Sequence, residues 1–399
     1  MTKDPRSTMH ADLDQGDRVF MVAACGFFVL ATIVVSPVSF SFFSQTVSYE
    51  AIVEQTLPAV TLAFEQEPTA MHLDTPEPLK AIYMTSWVAG TPHIRTRVVD
   101  LIDTTEINAV VIDIKDDTGN ISFLPRDSYL QEFGSGVDRI ADIDEFLALL
   151  HKKGIYVIGR ISVFQDPLLV KIKPEWAIKS SARATTWYDR RGLAWIDVGA
   201  LGAWDYTIAV AREAYARGFD EINFDYVRFP SDGNTQDMVF PFSEGRSREV
   251  ALEEFFSYLS YSLSDDGFPI SADLFGLVTT QTDDMGIGQV LERALPYFDY
   301  IAPMVYPSHF GDGVYGIPKP ALDPYQTVYR AMSVAVGRTI TASTSPSKLR
   351  PWLQDFDLGA VYTPEMVRAQ ISATEDSGLT SWMLWDPSNR YTRVALHAN

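Results

Sequence analysis

The chain has 399 residues, a formal net charge of -20 and a pI near 4.6, with 46% hydrophobic and 12% aromatic residues. This composition supports a sizeable core and excludes disordered, collagen-like and disulfide-scaffold chains. With 32 Lys+Arg against 52 Asp+Glu and no basic run, nucleic acid is excluded as a partner. The single cysteine, Cys25, makes neither an internal disulfide nor a cysteine-based metal site.

From Val19 to Phe43 no charged residue occurs, a stretch of 25 positions where about 20 suffice to cross the hydrocarbon. Lys3, Arg6 and Arg18 precede it, and no Lys or Arg follows until Lys80, so the positive-inside rule keeps the start cytoplasmic and exports the remainder. A cleaved signal peptide competes with this reading, but the run exceeds the usual apolar length of about 7 to 15 residues. Val22-Ala23-Ala24-Cys25 has the look of a lipobox, yet the apolar run continues far past Cys25, which favours a cysteine buried in the membrane. The expected organisation is a cytoplasmic tail over 1–18, a transmembrane anchor over 19–43, a Thr-, Glu- and Pro-rich linker or stalk over 44–77, and a folded domain over 78–399.

Past Pro78, β-rich runs alternate with amphipathic helical stretches, the pattern of a parallel sheet with crossover helices. Strands are expected at 81–87, 110–116, 156–164, 221–230, 269–275, 300–306, 338–343 and 381–385, with helices over 94–103, 140–153, 203–217, 247–264, 288–295, 324–336 and 364–377. Eight continuous apolar strands predict an α/β fold, a single (β/α)8 TIM barrel preceded by the transmembrane helix and linker. An open doubly wound sheet is the alternative, weakened because no glycine fingerprint follows the first strand. Gly311 to Gly316 matches G-x-G-x-x-G, but Pro318 and Pro320 stand where a helix should open, so it reads as a turn.

Chemistry in such barrels lies at the carboxyl ends of the strands. There the sequence places Asp113, Lys115 and Asp116, then Arg160, then Asp225, Tyr226 and Arg228, then Asp273, then Tyr306 and Ser308, and finally Trp385 and Asp386. A charge inside an apolar strand is costly unless paired. Asp225 with Arg228 reads either as a buried pair orienting the rim or as a catalytic carboxylate beside a guanidinium, and converging polar strand ends favour the second. Asp273, one strand on, supplies a second carboxyl facing Asp225, as glycoside hydrolysis requires. Asp113 has two possible partners, Lys115 and Arg160. Asp386 is either a further site carboxylate or the cap of the segment after it. Trp187 and Trp195, in the long connection after the third strand, suit sugar stacking or simple packing, and Asp197 is open between a hydroxyl contact and a cap.

Asn223 to Pro230, with Ala81 to Thr85, Val111 to Asp116 and Ala272 to Gly276, resembles a bacterial family of glycoside hydrolase barrels distantly similar to the alpha-amylase-like superfamily, over about residues 79–389. The resemblance implies a carbohydrate-active barrel outside the cytoplasm. It also implies Asp225 as nucleophile and Asp273 as the nearest equivalent of the acid, while the seventh-strand carboxylate of that pattern is absent from Thr341 to Ser345.

Competing chemistries lack their residues. The six histidines show no H-x-x-H or H-E-x-x-H spacing, so no metal or other cofactor is expected, and G-x-S-x-G is absent. The expectation is therefore a membrane-anchored, extracytoplasmic glycosidase with a carbohydrate substrate, in which Asp225 and Asp273 catalyse. Asp113, Lys115, Arg160, Tyr226, Arg228, Tyr306, Trp385, Asp386, Trp187 and Trp195 are the candidate substrate contacts. The alternative is a tethered carbohydrate-binding barrel without turnover.

Overall fold

The computed structural model describes residues 70–399. The expected tail, the span over 19–43 and most of the linker lie outside the described residues, and among those described no helix is long and apolar enough to cross a membrane.

Eight parallel strands close a barrel: β1 (Lys80–Met84), β2 (Ala109–Lys115), β3 (Tyr156–Ser162), β4 (Glu221–Asp225), β5 (Ile270–Phe275), β6 (Tyr300–Met304), β7 (Trp352–Gln354) and β8 (Trp382–Trp385). Each pairs with its neighbours in chain order and β8 closes on β1, with Lys80 opposite Trp382. The two-residue side-chain period divides every strand between two cores. Val110, Ile112, Ile114, Phe224 and Leu274 face the helices, whereas Ala81, Tyr83, Val111, Tyr156, Ile158, Trp352 and Met383 fill the barrel.

The helices follow the sequence signals. Leu201–Arg217 buries Ala203, Tyr206, Thr207, Val210, Ala211 and Ala214, a stripe at three- and four-residue spacing, and ends at Gly218 with φ 114°. Pro167–Ile172 starts with proline at its first position and Asp166 as cap, whose carboxylate accepts from the Leu169 amide at 2.7 Å.

One strand is misplaced by sequence reasoning. Residues 338–343, expected as the seventh strand, complete the helix Pro324–Thr341 and its terminus, and β7 is the three-residue Trp352–Gln354. The β-branched residues Thr339, Ile340 and Thr341 look strand-like, but Thr339 continues the buried helical stripe of Thr327, Val328, Ala331, Met332 and Ala335. The residue that leaves the seventh strand is consequently Asp355. The fourth strand also stops earlier than expected, at Asp225, because Tyr226 turns into the left-handed region with φ 53°.

The two ends of the barrel carry different polar layers. At the amino-terminal end Arg350 pairs with Glu221 at 2.8 Å, and Glu221 also accepts from Ser271 at 2.7 Å and Tyr156 at 3.2 Å. The segment before β1 reaches the same end, where the Leu73 amide donates to Asp220 at 2.7 Å.

Candidate active site

At the carboxyl-terminal end, alternation turns Asp113, Arg160, Asn223, Asp225 and Asp273 inward from four successive strands. The register sets Asp113 opposite Arg160, Arg160 opposite Asn223, and Phe224 opposite Ala272, so Asp225 and Asp273 occupy equivalent positions on adjacent strands. All five residues are buried.

Arg160 is the hub. It donates through Nη1 to Asp113 at 2.7 Å, and through Nε at 3.1 Å and Nη2 to the Oδ2 of Asp225, while its Nε stands 3.8 Å from Oδ2 of Asp273. Tyr83 donates its hydroxyl to Asp113 at 2.5 Å and stacks on Trp385 with ring centroids 3.8 Å apart. Three carboxyls around one guanidinium leave an excess of negative charge out of water, and the physical response is to keep a proton. Burial, reinforced by the charge of Asp225, pushes Asp273 up to about 8, against the pull of Arg160 and of the N–H groups of Asn223 and Trp352. Asp113 is raised as well, by burial that its contacts with Arg160 and Tyr83 only partly offset. Burial tends to discharge Arg160, but Asp225 and Asp113 hold its proton more tightly than usual. The Tyr306 phenol is held neutral by burial and by Asp273 and Asp225, and its hydroxyl has no hydrogen-bond partner among the described residues.

The expected contacts divide between this cluster and other surroundings. Asp113, Arg160, Asp225, Asp273, Tyr306 and Trp385 come together, with Tyr226 beside Asp225 through its amide at 2.5 Å. Arg228 does not pair with Asp225: its guanidinium packs on Phe275 and Trp195 at 4.6 and 4.8 Å and donates to the Phe229 carbonyl at 3.1 Å. Lys115 is fully buried against Asp166 at 2.6 Å, outside the cluster, because an irregularity between Asp113 and Lys115 brings it level with Ile161 and turns it toward the helices. Asp386 accepts from the Ser388 and Arg390 amides, both at 2.8 Å, and so caps its own turn. Trp187 and Trp195 are core residues, their indole N–H groups donating to the Asn234 carbonyl at 2.9 Å and to Asp189 at 3.1 Å. Asp197 is buried and does not cap the helix Leu201–Arg217: it accepts from the Gly199 amide in its own turn and from the amides of Phe242 and Ser243 and the Ser243 hydroxyl, tying down the loop that follows β4.

Sequence reasoning missed several participants. Tyr83 was legible, being two residues from Ala81 on the inner face of β1. Asn223 was legible by the same period from Asp225. Trp352, whose Nε1 donates to Asp273 at 2.8 Å, was hidden by the misplaced seventh strand. The same error concealed Asp355, which burial pushes up to about 6 and which accepts from Thr392 through its amide at 2.8 Å and its hydroxyl at 2.6 Å. Among the described residues no group of His, Cys, Asp and Glu side chains is arranged to hold a metal ion.

A closed (β/α)8 barrel that gathers three carboxyls around one guanidinium at the carboxyl-terminal ends of its strands has the layout of a barrel enzyme's site. Residues 81–391 match the family model described as "Putative glycosyl hydrolase domain", and the chain belongs to that family, which places it in the glycosidase class. Among solved structures it is similar to a hypothetical protein from Ruminiclostridium thermocellum, 38% identical over 48% of this chain and 96% of that one, with a TM-score of 0.45. It shares its fold with the PgaB (BpsB) glycoside hydrolase domain from Bordetella bronchiseptica, 14% identical over 80% of this chain and 99% of that one, with a TM-score of 0.58. No curated protein matches the chain.

Proposed function

We propose that the chain hydrolyses O-glycosidic bonds of a polysaccharide or cell-envelope glycan, with Asp225 attacking the anomeric carbon or activating water and Asp273 protonating the leaving oxygen. The observation that carries this is the division of labour between two adjacent carboxyls. Asp225 accepts hydrogen bonds from the Arg160 guanidinium on one oxygen, whereas Asp273 is fully enclosed, has that guanidinium no nearer than 3.8 Å and is raised to about 8. An acid raised that far holds its proton at neutral pH and can deliver it in the transition state. The hydroxyl of Tyr306 serves as donor to the sugar, and the Trp385 ring, backed by Tyr83, offers it a stacking face. Asp113 and Arg160 orient Asp225.

The charge-free run over 19–43, with Lys3, Arg6 and Arg18 before it and no Lys or Arg after it until Lys80, supports an anchor that leaves the barrel outside the cytoplasm. Protease added to intact cells degrades the barrel under this reading, and protection of the barrel contradicts it.

The deciding experiment is reducing-end release from a panel of wall, capsular and storage polysaccharides by the full-length protein beside its Asp225→Asn variant. Release by the first alone supports the mechanism. Glycan retention by both proteins without release points instead to a binding barrel, and equal release by both removes Asp225 from the chemistry.

A further inference from the structure

The site as derived so far treats Asp273 as a carboxyl with one environment, but its two oxygens are surrounded differently. Oδ1 accepts from Nε1 of Trp352 at 2.8 Å and from Nδ2 of Asn223 at 3.0 Å. Oδ2 has no N–H donor within hydrogen-bonding distance among the described residues, and Nε of Arg160 stands 3.8 Å away. A carboxyl oxygen offers two lone pairs, and two N–H donors in place occupy both. A proton on Oδ1 would have to displace one of them.

We propose that Trp352 and Asn223 are positioning residues of the acid: by placing both their N–H groups on Oδ1 of Asp273 they confine the carboxyl proton to Oδ2, the oxygen turned toward Arg160. Neither residue touches the reacting atoms. Both are held for the task, Trp352 fully buried with its ring edge-on to Trp385 at 5.4 Å, and Asn223 tied also to Ser271 at 3.2 Å. The Asn223 amide leaves its own Oδ1 buried without a partner, so its orientation serves Asp273 and not its own hydrogen bonding. The two donors have a second effect of opposite sense to burial. They stabilise the ionised carboxylate, and so keep the acid from becoming too weak to give up its proton.

The proposal rests on Asp273 being the acid, and a readout independent of turnover separates the two ideas. In full-length protein carrying 15N-tryptophan, the indole N–H resonance of Trp352, identified by its loss in Trp352→Phe, is followed across the alkaline range. It is expected to move with a midpoint near 8, to stop moving in Asp273→Asn, and to move with a midpoint about one unit higher in Asn223→Ala, where one stabilising donor is gone. Asn223→Ser, which keeps a hydroxyl donor in a smaller side chain, is the second variant and is expected to fall between the two. In catalysis the alkaline limb of kcat/KM moves upward in Trp352→Phe by a similar amount. A purely structural role would instead lower the rate by the same factor at every pH. An indole resonance indifferent to Asp273→Asn, or a midpoint unmoved in both Asn223 variants, overturns the assignment. The expected titration in a protein with no glycosidase activity at any pH leaves the hydrogen-bond assignment standing and removes the glycosidase reading alone.

Discussion

Replacing Asp273 by Asn is expected to make the protein more stable at neutral pH while abolishing turnover. In the unfolded chain an aspartate loses its proton near 3.8, whereas in the barrel Asp273 keeps it to about 8. At pH 7 folding must therefore return a proton to a group that water would leave ionised. The difference between 3.8 and 7 corresponds to at most about 4 kcal/mol. Asparagine has nearly the same shape, and its Oδ1 can keep the Trp352 and Asn223 bonds. A gain of at most that size raises the melting temperature by up to roughly 6 °C in a domain of this size. The sign with pH is fixed by linkage. Because the folded value is raised, wild type loses stability through this group as pH climbs from about 4 to about 8, so the gap between variant and wild type is absent below about pH 4 and complete above about pH 8. Thermal denaturation of both proteins in matched buffers from pH 4 to 9 measures it. A variant no more stable than wild type at pH 8, or a gap of the same size at pH 4 and pH 8, refutes the protonated, buried Asp273.

Other consequences are more direct. Asp225→Asn is expected to lower kcat/KM on a responsive glycan by at least about 10³-fold, measured as reducing ends, because the proposed mechanism puts this carboxyl at the anomeric carbon. Activity of the wild type should fall as pH rises through about 8, when Asp273 gives up its proton, and an activity still rising at pH 9 contradicts its role as acid. Arg160→Met leaves Asp113, Asp225 and Asp273 without their shared cation and is expected to cost about 3 to 5 kcal/mol in denaturant unfolding. Trp187→Ala should act on stability, by about 3 to 5 kcal/mol, and leave glycan affinity in the folded fraction unchanged, since the ring is core and not rim.

Where local rules suffice, the fold was legible. Continuous apolar strands, helical stripes and terminal glycines located seven of the eight barrel strands, and β7 escaped for physical reasons. Trp352–Gln354 is three residues long and follows a proline, too short to show a period, while the β-branched turn before it imitated a strand. At the site, alternation placed Asp113, Arg160, Asp225 and Asp273 on one inner surface, because period two is set by the backbone and not by the neighbours. It failed where the backbone departs from that period. The irregularity after Asp113 reverses Lys115, and the left-handed Tyr226 takes Arg228 off the strand, so the cation that meets Asp225 comes from β3 instead. Partner choice among several nearby charges depends on three-dimensional reach. The long side chain of Arg160 rises from the layer of Asn223 to the layer of Asp225, which no spacing rule within a single strand encodes.

The two polar layers of the barrel show why one end is the candidate site and the other is not. Both bury arginine against carboxylate, so burial and pairing by themselves do not distinguish them. At the amino-terminal end each carboxylate has its own partners: Glu221 pairs with Arg350 and accepts from Ser271 and Tyr156, and Asp220 meets His151 and accepts from the Leu73 and Val157 amides. At the carboxyl-terminal end one guanidinium serves three carboxyls, and the surplus is carried by a proton on Asp273 while the Tyr306 hydroxyl stays unpaired. A fold selected for stability alone would remove that imbalance, since exchanging Asp273 for a neutral isostere is expected to strengthen it. Under the proposed mechanism that retained excess is what supplies the transferable proton of Asp273 beside the carboxyl of Asp225, the pairing that hydrolysis of a glycosidic linkage requires.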